Sequence, residues 1–158
     1  RPRVLAIVST ISVLANPGTP ISSTCPPENI DIKIDSGAYT SSIHCTNIKE
    51  VVINGETLLQ FTVLDAEHSL YHPKKFTYKD YTSKEVKSSN GVSETRFMIY
   101  SKIVIFNTTY PIYLTLSERK NMKYPVLLGR KFLNNKFVID TVKKELSYKL
   151  KNINRWEL

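Results

Sequence analysis

Only two cysteines, Cys25 and Cys45, occur in 158 residues. That is too few for a disulfide scaffold, and neither lies in a C-x-x-C arrangement of the kind that holds zinc or runs redox chemistry. There is no P-loop, so ATP has no recognisable phosphate cradle. The zinc-protease signature H-E-x-x-H is also missing. His68 and His72 have i,i+4 spacing, but no Glu follows the first, and "AEHSLYHP" reads as a loop. The chain has no arginine-rich arm, basic heptad or aromatic-interleaved motif for single-stranded nucleic acid. No apolar run is long enough for a membrane-spanning helix. From these absences we expect no metal site, no cofactor, no nucleic-acid partner and no membrane partner.

Hydrophobic residues make up 41% and charged residues 23%, the balance of a globular protein with a real core. No repeat, low-complexity tract or linker divides the chain, so residues 1–158 are expected to form a single domain. Lys and Arg outnumber Asp and Glu by 22 to 14, a net charge of +8. The excess favours an acidic partner, although the basic residues are scattered among apparent strands as on an ordinary solvated surface.

Residues 1–18, "RPRVLAIVSTISVLANPG", loosely mimic a secretory signal, with a basic start and an apolar centre. Val, Ile, Ser and Thr dominate the run, which favours a first β-strand. Cytoplasmic residence follows from that reading, and export from the other.

Most of the chain reads as β-structure. Ile30, Ile32 and Ile34 alternate with Asp31 and Lys33, as in a half-buried strand. Asn54-Gly55 separates two β-prone runs and is a strong hairpin signal. "FTYKDYTSKEVKSSNGVSETRFMIYSKIVIF" is expected to form two long strands around a turn at residues 89–91, and Asn107 a turn before "TTYPIYLTL". "SERKNMK", with Ser117 as N-cap, suggests a helical turn. "YPVLLG" is expected as a buried strand, "RKFLNNK" as a short helix, and "KFVID" and "LSYKL" as closing strands. The class is all-β with one or two short helices.

The chemistry concentrates in "IKIDSGAYTSSIHC", residues 32–45. An alternating apolar run ends at Asp35, followed by Ser36, Gly37 and Ala38. Asp, Ser and Gly all favour turns, but the same trio suits a catalytic carboxylate loop. Gly37 permits a tight turn and close approach, the Ser36 hydroxyl can bond within the loop, and Ala38, Ser41 and Ser42 can pack beneath it. Two carboxylates held together hydrolyse peptides because they cannot both ionise, so one serves as acid and the other as base. His44 and Cys45, being adjacent in a strand, point to opposite faces and make a poor base–nucleophile pair. His44 is expected to be a structural hydrogen-bonder.

Four segments, "IKIDSGAYTSSIHC", "VKSSNGVSETRFMI", "YPIYLTLSERKNMKYPVLLGRKFL" and "NKFVID", occur in an order that resembles the retropepsin-like fold. More narrowly, they resemble the bacterial RimB-like aspartic peptidases, a family also labelled as ATP-dependent zinc proteases. The resemblance covers about residues 30 to 142, and residues 1–29 form an atypical N-terminal segment. The family usually reads D-T-G-A-R-T-S where this chain has Asp35-Ser36-Gly37-Ala38-Tyr39-Thr40-Ser41. Ser36 keeps the hydroxyl, whereas Tyr39 removes a charge beside the site. The resemblance implies a closed β-barrel and an aspartic endopeptidase, with Asp35, Ser36 and Gly37 as its catalytic loop. Because Asp140-Thr141-Val142 lacks the glycine, it also implies a homodimer that pairs two copies of Asp35. Ser89, Asn90 and Gly91 would lie in a substrate-covering flap, and Ala38 would be a further substrate-binding residue. Some family members trim glutamate tails from a ribosomal protein, so Arg96 and Arg130 are candidates to hold substrate carboxylates. The rival expectation is a non-catalytic module that binds a peptide or acidic tail on the same fold.

Overall fold

A computed structural model describes residues 3–6, 8–14, 30–88, 90–120 and 123–150, the first two segments as backbone only. The described residues form, in chain order, the strands and short helix β1 (Arg3–Ala6), β2 (Val8–Leu14), β3 (Ile30–Ile34), β4 (Ser41–Ile53), β5 (Glu56–Val63), β6 (Lys75–Tyr78), β7 (Tyr81–Lys87), β8 (Ser93–Ile105), β9 (Thr108–Ser117), β10 (Val126–Leu128), α1 (Arg130–Leu133) and β11 (Phe137–Asp140). The protein is mainly β. A second short helical stretch covers residues 146–150. Among the described residues, no helix is long and apolar enough to cross a membrane.

A nine-stranded sheet runs in the order β10-β3-β2-β8-β9-β4-β5-β6, with β7 paired to β8 and an additional pairing of β10 with β4. β1 and β11 form a separate parallel pair. Two parallel contacts, β10 with β3 and β4 with β9, bring distant parts of the chain side by side. They set the ends of β3, β4 and β10 at one place.

The local reasons are legible in the residues. β3 alternates buried and exposed, with Ile30, Ile32 and Ile34 inward, as its period of two requires. Asn54 and Gly55 both take positive φ (51° and 79°), the backbone of a two-residue turn whose twist matches its strands. Phe106 and Asn107 do the same between β8 and β9 (51° and 57°). Buried aliphatics from β3, β4, β8, β9 and β10 meet in one core, among them Ile32, Ile43, Ile103, Leu114 and Leu128. Phe61 stacks on Phe76 and Tyr78 at the outer part of the sheet.

Three expected elements differ. The run from Phe76 to Lys87 is not one long strand: it breaks at Lys79-Asp80, so β6 pairs with β5 while β7 pairs with β8. Ser117 caps no helical turn. It ends β9, where it lies opposite His44 in the parallel ladder, and residues 118–120 are irregular. "LSYKL" is helical rather than a strand, and the buried Ser147 hydroxyl accepts the Phe106 amide at 2.9 Å. The N-terminal run does form strands, β1 and β2.

Candidate active site

Asp35 follows the last residue of β3. Its amide donates to the Leu128 carbonyl at 2.9 Å, so the β3–β10 pairing continues into the loop. Its Oδ1 accepts the amides of Gly37 (3.0 Å) and Ala38 (3.2 Å), and the Ala38 amide also approaches the Asp35 carbonyl at 3.2 Å. The carboxylate thereby orders the turn that follows it. A side chain at 37 would bring a Cβ to 3.2 Å from that same oxygen, so the carboxylate would have to shift to admit it.

The loop is held from the far side by the start of α1. The Arg130 amide donates to the Ala38 carbonyl at 2.8 Å and the Lys131 amide to the Tyr39 carbonyl at 3.0 Å. The Gly129 amide donates to the buried Ser41 hydroxyl at 3.0 Å. The Arg130 guanidinium caps the carbonyls of Ser36 (2.8 Å) and Gly37 (3.2 Å). Arg130 is thus engaged in bracing the loop. Asp35, Ser36, Gly37, Ala38 and Arg130 come together as one unit. The Ser36 side chain is exposed, and among the described residues its hydroxyl makes no hydrogen bond, in contrast to the bond expected within the loop.

Asn90 and Gly91 sit exposed at the tip of the β7–β8 hairpin, and Ser89 lies outside the described residues. Ser88 closes the tip: its amide meets the Val92 carbonyl at 2.9 Å and its carbonyl accepts the Gly91 amide at 2.9 Å. Gly91 takes φ +82°, the left-handed region that glycine tolerates. Lys84 ties this hairpin to the loop, donating to the Thr40 hydroxyl at 3.0 Å with its ammonium 5.6 Å from the Tyr39 ring. An aromatic at 39 attracts this ammonium where an arginine would repel it. Arg96, on β8, pairs with Glu94.

A second polar group lies beside the loop. His44 is buried, with Nε2 2.7 Å from the Asp65 carboxylate. The Arg119 amide donates to Nδ1 at 2.7 Å. Nδ1 is therefore the acceptor and Nε2 carries the proton donated to Asp65. This is the structural role expected of His44. Leu64, at φ +67°, reverses the chain so that Asp65 meets it, held by the His44 carbonyl (3.0 Å) and the Thr46 hydroxyl (2.8 Å). The histidine's hydrogen bond is the main cause holding the Asp65 carboxyl below its usual range. The Arg119 side chain donates to Ser42 Oγ at 2.8 Å. Partial burial lowers the Arg119 pKa, Arg96 lowers it further and Asp35 opposes both. Arg119 was not among the sequence candidates; its place inside "SERKNMK" resembles any solvated charge run. Burial raises the Cys45 thiol pKa. Cys25 lies outside the described residues, and those described contain no cluster of three or more metal-binding side chains.

Residues 24–149 match the profile of the family described as "RimB-like: Retropepsin-like aspartic endopeptidase RimB". The chain belongs to the RimB-like family. It is also similar to proteins named probable alpha-L-glutamate ligase: 37% identical over 111 residues in Shewanella pealeana, 36% over 111 in Shewanella halifaxensis and 34% over 119 in Desulfotalea psychrophila. In each, 70% of this chain is covered but only 24% of the relative, so the RimB-like chain matches about a quarter of their length. Among solved structures, Lpg0085 of Legionella pneumophila, of unknown function, superposes with a TM-score of 0.65. The match covers 92% of this chain and 98% of that one at 22% identity, a likeness of fold.

Proposed function

We propose that the protein is an aspartic endopeptidase acting as a homodimer. The observation that carries the reading is Asp35, a carboxylate at the end of a half-buried strand whose loop is fixed by its own Oδ1, by the α1 amides and by Arg130. The family description supports it. So does the order of pairings β10–β3, β3–β2, β2–β8, β8–β9, β9–β4 and β4–β10, which returns to its first strand as a closed barrel would.

One chain holds one Asp-Ser-Gly, so the second carboxylate comes from the partner subunit's Asp35. With one proton between them, the ionised carboxylate takes a proton from water while the protonated one gives its own to the scissile carbonyl. The hydroxide adds to the carbonyl carbon. The C–N bond then breaks as the amine leaves with a proton returned from the dyad. The β7–β8 hairpin acts as the flap that covers the substrate and excludes water, and the Lys84–Thr40 hydrogen bond that ties it to the loop supports this role. A basic surface and relatives named for glutamate chemistry support an acidic, glutamate-containing substrate.

The test is hydrolysis of a glutamate-rich peptide and a mixed peptide pool by wild type and Asp35→Asn, followed by mass spectrometry from acid to neutral pH. Cleavage that vanishes in the variant supports the reading. Cleavage that persists places the activity elsewhere. A second reading, a non-catalytic module that holds an acidic tail, is favoured by relatives about three times as long that are named ligases. It predicts peptide binding without cleavage by a monomer.

A further inference from the structure

Three basic side chains approach the catalytic loop with no carboxylate within ion-pair distance among the described residues: Lys84, Arg119 and Arg130. Two have other work. Lys84 is committed to Thr40 and the Tyr39 ring, and Arg130 to the loop carbonyls. Arg119 differs. It is only partly exposed, and among the described residues its one side-chain hydrogen bond goes to the neutral Ser42 hydroxyl and its buried Nε has no partner. A guanidinium withdrawn from water without an anion is costly, and a carboxylate arriving from outside would offset that cost.

Its position follows from the ladders. Ser42 lies opposite Leu127 across β4–β10, and the neighbouring Leu128 carbonyl receives the Asp35 amide. Continuing the β8–β9 register beyond Met98↔Thr115 brings Arg96 level with Ser117, two residues before Arg119. Arg119 therefore lies against β4, near enough to both Arg96 and Asp35 for their charges to act on it in opposite directions. Its backbone is fixed by His44, which Asp65 fixes in turn.

We propose that Arg119 is a specificity-determining residue that binds a carboxylate side chain of the substrate beside Asp35, held in place by Ser42, His44 and Asp65. Arg96, already paired with Glu94, is its auxiliary. The proposal rests on the peptidase reading for its cleavage assay but not for its binding assay.

The experiment compares two fluorescein-labelled peptides, one with a run of glutamates and the other with glutamines in the same places. Wild type, Arg119→Gln and Arg119→Lys are measured for kcat/KM and for binding by fluorescence anisotropy. In Arg119→Gln the loss on the glutamate peptide exceeds that on the glutamine peptide at least about tenfold and appears mainly in KM, as expected for losing a hydrogen bond to a charged group. Arg119→Lys, which keeps charge without the planar fork, recovers part of it. Equal losses on both peptides overturn the proposal. If wild type cleaves neither peptide, the peptidase reading falls. Anisotropy still decides this inference: selective weakening of glutamate-peptide binding supports it, and equal binding overturns it. If Arg119→Gln does not fold, Arg119→Lys carries the test, and undiminished discrimination between the peptides overturns it.

Discussion

Gly129 lies against the backbone of Thr40, so closely that a Cβ on it would sit 2.7 Å from the Thr40 carbonyl carbon and 2.7 Å from the Tyr39 carbonyl oxygen. Backbone cannot yield as the tip of a side chain can. Gly129→Ala must therefore push α1 away from the loop and strain the amide contacts that hold Ala38 and Tyr39. We expect a loss of about 3 kcal/mol, the upper end for overpacking, seen as a fall in melting temperature of roughly 6–12 °C. Peptide hydrolysis should fall with it. A variant that melts within a degree of wild type would show that the close approach has little consequence.

The Asp65–His44 pair gives stability a definite pH dependence. The folded Asp65 carboxyl titrates below its ordinary value, chiefly through the His44 hydrogen bond. Its contribution is therefore present above the unfolded value of about 3.9 and is lost as pH falls through the lower folded value. Asp65→Asn keeps an acceptor but not the charge, and should cost about 1 kcal/mol at neutral pH. Asp65→Ala leaves the buried His44 N–H unpaired and should cost about 2–3 kcal/mol. Urea unfolding across pH should show the gap between wild type and Asp65→Asn closing below about pH 4. A gap that stays constant into acid would mean the charge contributes nothing.

Much of the frame was legible because it rests on local rules. The alternation at Ile30, Ile32 and Ile34, the Asn54-Gly55 turn, and the apolar run that stops at Gly129 each name their own structure. The Asp35 loop stood out for the same reason. What was not legible depends on pairs far apart in sequence. Lys79-Asp80 breaks a strand because β6 joins β5 while β7 joins β8, and no property of the dipeptide announces two different neighbours. Residues 146–150 alternate enough to pass for a strand, yet coil so that Ser147 reaches the Phe106 amide. Arg130 was a candidate carboxylate binder on charge and resemblance, but its Nη1 donates to the loop's carbonyls. Arg119 became visible only when β9 was set beside β4, bringing its amide to His44, 75 residues away in sequence.

Cys45 offers a probe of the same core. The thiol is fully buried and its pKa is raised by desolvation, so the nucleophilic thiolate is scarce in the folded protein. In a Cys25→Ser background, iodoacetamide at neutral pH should leave native protein unmodified and label it completely in denaturant, as read by intact mass. Rapid labelling of the native protein would mean that β4 opens readily.

The dimer makes the last prediction, and it is a matter of counting. If each active site takes Asp35 from two subunits, an Asp35→Asn chain inactivates every dimer it enters. Wild type unfolded and refolded with an equal amount of the variant should retain about a quarter of the activity of the same total amount of wild type refolded alone, since only dimers of two wild-type chains keep both carboxylates. Sites that work within one chain would retain about half. The two outcomes are separated by twofold in an initial-rate assay at fixed total protein. A result of one half, with Asp35→Asn alone inactive, would mean that Asp35 works within its own subunit, and the pairing of two Asp35 carboxylates across the dimer would have to be abandoned.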